Sequence, residues 1–249
     1  MSAHWLHPKG YVAPVTDAHG FVGYIGMGFR RCKRGKHSFW AVFAGVLLMN
    51  SPVELNGVLV YPSALSHDDQ VAMTDDLRLL ARQAPFRHYQ TPGGRKMSVR
   101  MTAAGDCGWF TDKRGYQYID NQPDGRAWPD IPVCVLEVWD RFSGVSQQPD
   151  TCLVNFYGEQ ARMGMHQDRD ENDFSMPVVS ISLGDEALFR VGGLKRSDPT
   201  RSIWLKSGDV AVLAGEARLA YHGIDRIRHK SSALLPDGGR INLTLRVAR

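Results

Sequence analysis

Short segments of alternating polar and apolar residues dominate the sequence from Met97 to the C-terminus. They are separated by Gly, Pro, Asn and Asp, the residues that favour turns. Because successive side chains of a β-strand point to opposite faces, such alternation is typical of strands with one buried face. Many short strands of this kind predict a sandwich or barrel of mainly antiparallel strands. We therefore expect a mainly β fold with flanking helices.

Two stretches have the pattern of helices instead. Ser66, followed by acidic residues that suit the positive end of a helix dipole, predicts a helix start, and Pro85 predicts its end. The apolar stripe predicted for this helix consists of Val71, Leu77, Leu80 and Ala81. A second helix is predicted over Val133–Phe142.

The composition is that of an ordinary globular protein. Of 249 residues, 43% are hydrophobic and 22% are charged, which excludes a disordered, collagen-like or coiled-coil chain. The cysteines are scattered without a C-x-x-C pair, so neither a disulfide framework nor a zinc site is indicated. We expect reduced thiols in a cytoplasmic protein, with no membrane association and a monomeric state.

The positive net charge is confined to the N-terminal region. The chain carries +4 overall, but residues 1–49 hold six Lys and Arg against one acid, and the remainder holds 24 basic and 25 acidic residues. The main body is therefore nearly neutral, and binding to a polyanion would need a local basic patch.

The same N-terminal region has an ambiguous pattern. A basic run at residues 30–36 precedes an apolar run at residues 39–49, as in a signal peptide, but the apolar run is too short to cross a bilayer, and no cleavage site follows it. We favour a different interpretation, in which residues 1–54 are an extension that is disordered or results from an upstream start, with Met49 as the alternative first residue.

Two separated segments carry a metal-binding pattern. In an extended chain His166 and Asp168 point the same way, and His222 lies at the end of a strand-like run, before a glycine that permits a turn. Two histidines and one carboxylate on one face, with open positions, are typical of non-haem Fe(II) oxygenases. A single H-x-D pair is weak evidence, since it also occurs by chance in solvated loops.

The final strand pattern strengthens this interpretation. Arg240, Asn242, Thr244 and Arg246 alternate strictly with apolar residues, so they share one face. Two arginines inside a barrel require anions, because an unpaired buried charge is very costly. A dicarboxylate would meet both guanidinium groups.

Together these motifs resemble the AlkB family of Fe(II)- and 2-oxoglutarate-dependent dioxygenases, over approximately residues 55–249. The matching stretches are Pro85-Phe-Arg87, Thr91-Pro-Gly-Gly94, Met97-Ser-Val99, Gly108-Trp109, Arg114-Gly-Tyr116, Asn155-Phe-Tyr157, His166-Gln-Asp168, Gly192-Gly-Leu-Lys-Arg196, Tyr221-His222-Gly223 and Arg240–Arg246. The resemblance implies a double-stranded β-helix (jelly-roll) core at about 131–249, with an N-terminal nucleotide-recognition lid at about 85–130.

The resemblance also implies a role for individual residues. The iron ligands would be His166, Asp168 and His222. The 2-oxoglutarate site would be formed by Arg240 and Arg246, with Asn155, Tyr157 and Asn242. Contacts to the damaged base or its backbone would come from Met101, Trp109, Tyr116, Asp170 and Arg196.

The implied activity is oxidative demethylation, in which Fe(II), 2-oxoglutarate and O2 repair 1-methyladenine or 3-methylcytosine and release formaldehyde, succinate and CO2. The implied substrate is alkylated single-stranded or double-stranded DNA, with RNA as a further candidate. Two alternatives remain: a binding module that has lost activity, which the intact triad argues against, and a dioxygenase for modified RNA, a protein or a small molecule. Asp170 and Glu171 could also be an ordinary solvated acidic pair.

Overall fold

The structure, a computed structural model, describes residues 51–249 and, within residues 1–50, only the backbone of three strands: β1 (Ala13–Thr16), β2 (Val22–Arg30) and β3 (Ala41–Leu47). These strands pair antiparallel in the order β1-β2-β3. The basic run lies outside the described residues beyond Arg30, and the apolar run contains β3. The chain divides into two compact units, Met1–Asn50 and Ser51–Arg249.

The second unit consists mainly of strands. Its first part contains β4 (Val53–Leu55), β5 (Val58–Tyr61), α1 (His67–Gln83), β6 (Arg87–Gln90), β7 (Lys96–Gly105), β8 (Gly108–Asp112), β9 (Gly115–Ile119) and α2 (Val133–Phe142). The rest contains β10 (Thr151–Tyr157), β11 (Met163–His166), β12 (Val178–Gly184), β13 (Glu186–Val191), β14 (Arg201–Leu205), β15 (Val210–Leu213), a 3-10 turn (Gly215–Ala217), β16 (His222–Arg228) and β17 (Arg240–Arg246).

Two antiparallel sheets form the body of this unit. Among residues 51–249, the larger sheet has eight strands in the order β4-β5-β15-β12-β17-β10-β7-β6, and the smaller has four in the order β11-β16-β13-β14. Strands β8 and β9 form a separate two-stranded sheet, which we call the lid hairpin (Gly108–Ile119). The prediction of a mainly β fold with flanking helices is confirmed.

One hydrophobic core lies between the two sheets. It takes Val60, Met101 and Leu213 from the larger sheet, and Phe189 and Ile224 from the smaller one. Because side chains alternate along a strand, the residues next to these core positions in the larger sheet point to its opposite face. The core therefore forms a sandwich of the jelly-roll type.

The two helices contact that opposite face. The Thr102 hydroxyl, on β7, donates a hydrogen bond to the carbonyl of Ala84 at the end of α1. The Tyr61 ring, on β5, lies 4.8 Å from the Phe142 ring of α2, measured between centroids. Both faces of the larger sheet are thus covered, which explains its apolar residues on both sides.

The capping residue of α1 was predicted correctly, and so was the burial of Leu77 and Leu80, but the predicted stripe wrongly included Val71. The Ser66 side chain accepts a hydrogen bond from the backbone of Asp69, whose carboxylate accepts one in return from the Ser66 backbone, as in a capping box. The helix buries Met73, Leu77 and Leu80, whereas Val71 is 39% exposed. Val71 is wrongly placed in the predicted stripe because it lies half a helical circumference from Leu80.

Candidate active site

All thirteen residues expected from the family resemblance line one cavity of about 510 Å³. Its walls come from both sheets and from the lid hairpin. The metal ligands implied by the resemblance lie at the ends of β11 and β16, the co-substrate residues lie on β10 and β17, and the base-contacting residues lie on β7, the lid hairpin and two loops.

The three expected iron ligands converge. One donor atom each from His166, Asp168 and His222 lies within 4.8 Å of the other two. Nε2 of His166 is 3.6 Å from Oδ1 of Asp168, and Nε2 of His222 is 3.8 Å from its Oδ2. This donor set, with two imidazoles and one carboxylate, fits Fe(II).

Backbone carbonyls orient both imidazoles. Nδ1 of His166 is 2.9 Å from the Gly164 carbonyl oxygen, and Nδ1 of His222 is 3.0 Å from that of Ala220. Donation of Nδ1–H to these carbonyls leaves both Nε2 lone pairs directed toward Asp168, as a metal ligand requires.

The protonation states of His222 and Asp168 favour metal binding as well. Burial, together with the charge of neighbouring His166, lowers the pKa of His222 to about 4, so its imidazole is neutral at pH 7. Burial alone would raise the pKa of Asp168, but Arg246 and the two histidines outweigh it and hold that pKa well below its ordinary value. The site therefore offers an ionised carboxylate and a neutral imidazole, the forms that bind a cation.

The local geometry of two ligands differs from the expectation. Strand β11 ends at His166, so Asp168 lies in an irregular segment rather than on the same strand face. His222 begins β16 rather than ending a strand, and Gly223 lies within β16. A Cβ on Gly223 would be 2.7 Å from the Met163 carbonyl oxygen, so the glycine permits close approach of β11 and not a turn.

Strand β17, which contains Arg240 and Arg246, has the predicted polar face. In β17, Arg240 pairs with Tyr157 and Asn242 pairs with Asn155 across to β10, and all four residues line the cavity. Buried side-chain atoms without a hydrogen-bond partner in the described residues include Asn155 Oδ1, Arg240 Nε, Arg240 NH1 and Arg246 Nε. The arginine nitrogens among them are unsatisfied donors, which are costly to bury, and a dicarboxylate would satisfy them, so these arginines fit 2-oxoglutarate.

The anions that meet Arg246 belong to the protein itself. Its NH2 atom lies 2.8 Å from Asp168 Oδ2, and its Nε lies 3.3 Å from Glu171 Oε1. Arg240 instead donates a hydrogen bond to the Ser182 hydroxyl at 2.9 Å, and its guanidinium carbon lies 5.2 Å from the centre of the Tyr157 ring. Arg246 therefore already has protein carboxylates beside it, and the expectation of an external anion applies more strongly to Arg240.

The lid hairpin brings aromatic rings to the cavity. Trp109 and Tyr116 are stacked, with centroids 5.5 Å apart and planes 22° apart, and Tyr116 is 50% exposed. The Trp109 indole donates a hydrogen bond of 2.9 Å to Asp170 Oδ2. Arg196 donates one of 3.0 Å to the Met165 carbonyl. The hairpin and the two loops are thus connected around the opening.

Three residues, of which Glu171 and Arg218 are buried and Tyr118 is half-buried, were not identified from the sequence as parts of the site. Glu171, one of the two acids that could have been solvated, is only 6% exposed and contacts Arg218 and Arg246. Tyr118 donates a hydrogen bond to it. No motif contains Arg218 or Tyr118, and only the folded chain brings them together.

The chain matches the family model of the 2OG-Fe(II) oxygenase superfamily over residues 57–246. It is 55% identical over 194 residues to an alpha-ketoglutarate-dependent dioxygenase AlkB homolog of Caulobacter vibrioides, covering 78% of this chain and 88% of that one. The chain belongs to the AlkB family of 2OG-Fe(II) oxygenases. AlkB of Escherichia coli is 39% identical over 83% of this chain and 97% of its own.

A solved structure supports the same assignment. That of OsALKBH1 matches with a TM-score of 0.64 and 33% identity, covering 76% of this chain and 97% of its own. As a member of this family the chain is a dioxygenase that uses Fe(II), 2-oxoglutarate and O2. Among the described residues, no helix is long and apolar enough to cross a membrane.

Proposed function

We propose that this dioxygenase removes alkyl groups from bases of DNA, with 1-methyladenine and 3-methylcytosine as substrates and RNA as a further substrate. The observation that carries the proposal is the union, in one cavity, of the His166, Asp168 and His222 triad with the exposed aromatic rings of the lid hairpin. A base must leave its stack to reach a buried metal, and aromatic side chains replace the lost stacking.

Different residues of this cavity would have different roles in the reaction. His166, Asp168 and His222 would hold the iron, which together with 2-oxoglutarate and O2 supplies oxidation of the N-methyl carbon. Oxidised in this way, the methyl group leaves as formaldehyde, while 2-oxoglutarate is converted to succinate and CO2. The protein positions the base and the co-substrate and limits the access of water.

The co-substrate would occupy the cavity between β10 and β17. Arg240 and Arg246 would bind its two carboxylates, assisted by Asn155, Tyr157 and Asn242. The Nε and NH1 atoms of Arg240 support this assignment, because they are buried and have no hydrogen-bond partner among the described residues. A planar guanidinium binds a carboxylate with two parallel hydrogen bonds.

The substrate base would lie between the metal triad and the lid hairpin. Trp109 and Tyr116 would stack on it, Met101 would pack against it, and Asp170 would face its positive charge. Methylation at N1 of adenine or N3 of cytosine leaves the base cationic, so a carboxylate at the opening favours these lesions. Arg196, on the opposite loop, would contact the phosphate backbone.

The test is formaldehyde release from oligonucleotides that carry 1-methyladenine or 3-methylcytosine, each as single-stranded DNA, double-stranded DNA and RNA. His166→Ala serves as the inactive control. Release from the methylated oligonucleotides, dependent on Fe(II) and 2-oxoglutarate, is expected. Turnover of 2-oxoglutarate without release from any oligonucleotide would instead favour the alternative, a dioxygenase for another substrate, and absence of any turnover would favour a binding module.

A further inference from the structure

A continuous line of polar contacts, buried except at its half-buried first residue, connects the lid hairpin to the metal triad. It starts at Tyr118, on β9 of the hairpin, whose strand partner on β8 is Trp109. The Tyr118 hydroxyl donates a hydrogen bond of 2.6 Å to Oε1 of Glu171. A short bond to an ionised acceptor is among the stronger hydrogen bonds in proteins.

Glu171 is held between two arginines. Arg218 NH2 lies 3.1 Å from its Oε2, and Arg246 Nε lies 3.3 Å from its Oε1. The side chains of Glu171 and Arg218 are each 2% exposed, and that of Arg246 is 6% exposed. Because water is excluded, these charges interact more strongly than an exposed ion pair would.

The same two arginines also contact the metal ligand Asp168. Arg246 NH2 lies 2.8 Å from its Oδ2 carboxylate oxygen, and Arg218 NH1 donates a hydrogen bond of 2.7 Å to its backbone carbonyl. Two carboxylates therefore balance two guanidinium groups, and the Tyr118 hydroxyl is the contribution of the hairpin to this group.

One carboxylate oxygen of Glu171 connects the lid hairpin with the expected 2-oxoglutarate site. Oε1 of Glu171 accepts the Tyr118 hydrogen bond and also faces Nε of Arg246, so its position depends on the hairpin and in turn orients the guanidinium. Arg246 contacts the carboxylates of both Asp168 and Glu171. When a metal is bound, the Asp168 carboxylate would be one of its ligands. Glu171 would then be the remaining protein carboxylate that orients Arg246.

We propose that Tyr118 and Glu171 are positioning residues that couple docking of the lid hairpin to binding of 2-oxoglutarate at Arg246. This inference rests on the proposed function, in which the hairpin closes on the nucleotide and Arg246 binds the co-substrate. Binding energies are reciprocal, so 2-oxoglutarate strengthens nucleic-acid binding by the same factor by which nucleic acid strengthens 2-oxoglutarate binding.

Tyr118→Phe is the variant that isolates the contact. It removes one hydroxyl and leaves Glu171 paired with both arginines, so the charged group stays balanced and the protein should fold. Glu171→Gln removes the negative charge between two buried guanidinium groups and is expected to lower stability. Glu171→Gln serves as the second variant, and its melting temperature is measured before any binding experiment.

The experiment measures oligonucleotide affinity with and without 2-oxoglutarate. Mn(II) replaces Fe(II) to prevent turnover, and binding of a labelled single strand with one 1-methyladenine is followed by fluorescence anisotropy. For the wild-type chain we expect binding about fivefold tighter with 2-oxoglutarate, at the lower end of typical coupling between sites. In Tyr118→Phe this ratio should fall to near one, and calorimetry without oligonucleotide should show 2-oxoglutarate affinity weakened severalfold.

Asp120→Asn is the matched control. Asp120 directly follows β9 and forms an ion pair with Arg249, so it also connects the hairpin to the core, but both side chains are about half exposed or more. Exposed pairs contribute little, so this variant should keep the wild-type ratio.

The possible results separate the two hypotheses. A wild-type ratio of one, an unchanged ratio in Tyr118→Phe, or an equal loss in Asp120→Asn overturns the coupling. If the wild-type chain does not bind the methylated strand, the proposed function fails; the coupling then depends on calorimetry alone, and unaltered 2-oxoglutarate affinity in Tyr118→Phe overturns it too.

Discussion

At the scale of single residues, the proposed metal ligands His166 and Asp168 differ in their other contacts. His166 is partly exposed and contacts Asp168 and the Gly164 carbonyl, whereas Asp168 also compensates the buried charge of Arg246. Substitutions at the two positions should therefore affect catalysis alike but stability differently.

We predict that His166→Ala and Asp168→Ala both abolish 2-oxoglutarate decarboxylation, because a triad that lacks one ligand binds iron poorly. Asp168→Ala should also lower the free energy of unfolding by about 3 kcal/mol, since it leaves a buried guanidinium partly unpaired. His166→Ala should not. Succinate assays and urea unfolding test both statements, and normal succinate production in either folded variant would contradict the triad.

Arg246→Lys should raise the KM for 2-oxoglutarate by about tenfold or more, because an ammonium cannot form the two parallel bonds of a guanidinium. The oligonucleotide affinity measured without 2-oxoglutarate should change little. Arg246 also reaches Asp168 and Glu171 with different nitrogens, which one Nζ cannot do. Arg201→Lys, at an exposed position, is the matched control. An unchanged KM would show that Arg246 does not bind the co-substrate.

Two variants of Asp170 can separate the effect of its negative charge from that of its hydrogen bond to Trp109. Its carboxylate accepts a hydrogen bond from Trp109, and the residue is exposed. Asp170→Asn removes the charge and keeps an oxygen for the indole, and Asp170→Ala removes both. We expect Asp170→Asn to slow repair of cationic 1-methyladenine by roughly fivefold, the effect of an ion pair of about 1 kcal/mol, and to leave neutral 3-methylthymine unaffected.

Comparison of the two variants then locates the effect. Asp170→Ala should slow repair of both lesions, because the lid hairpin loses its bond to this loop, while 2-oxoglutarate turnover persists. Kinetics on both oligonucleotides provide the measurement. An equal loss in Asp170→Asn for charged and neutral lesions would refute the electrostatic explanation.

At the scale of elements, the lid hairpin depends on a close contact at its first residue. A Cβ on Gly108 would lie 2.4 Å from the Trp128 ring, and the Trp128 indole is itself held by a hydrogen bond to the Ile119 carbonyl at the other end of the hairpin. The glycine thus lets the start of β8 and the end of β9 pack on the same indole.

We predict that Gly108→Ala displaces the hairpin and weakens oligonucleotide binding roughly tenfold, in line with the usual cost of overpacking. Decarboxylation of 2-oxoglutarate without substrate should continue when 2-oxoglutarate is saturating, because the triad and β17 are not part of the hairpin. Gly158→Ala is the control, since a Cβ there would meet nothing within 4 Å. Equal oligonucleotide affinity of Gly108→Ala and the wild-type chain, measured by anisotropy, would contradict the prediction.

At the scale of the whole molecule, the described enzyme residues belong to one unit, Ser51–Arg249. The family match, residues 57–246, lies within it. Strand β4 pairs with β5, so this unit includes residues from Val53 onward.

We predict that a chain starting at Met49 is folded and as active as the full chain, because every residue that lines the cavity comes after it. Circular dichroism, thermal unfolding and formaldehyde release from 1-methyladenine oligonucleotides test this. Failure of the shortened chain to fold would refute the idea that residues 1–48 are an appendage, and an exported, processed chain would favour the signal-peptide alternative.

Local patterns in the sequence determined the class of fold and some of its elements. Alternation predicted β17 with its polar face, and capping residues predicted the start of α1, because both depend on neighbours along the chain. The H-x-D pair, His222 and the arginines predicted the residues that line the cavity, since a short donor set restricts the chemistry a site can perform.

Contacts between distant segments decided the rest. The position of Asp168 beyond the end of β11, the close approach at Gly223 and the burial of Glu171 depend on packing between strands far apart in sequence. A buried carboxylate has the same local sequence as a solvated one, and only its partners make burial favourable. For Glu171 these partners are Tyr118, Arg218 and Arg246, brought together by the lid hairpin, the 3-10 turn and β17.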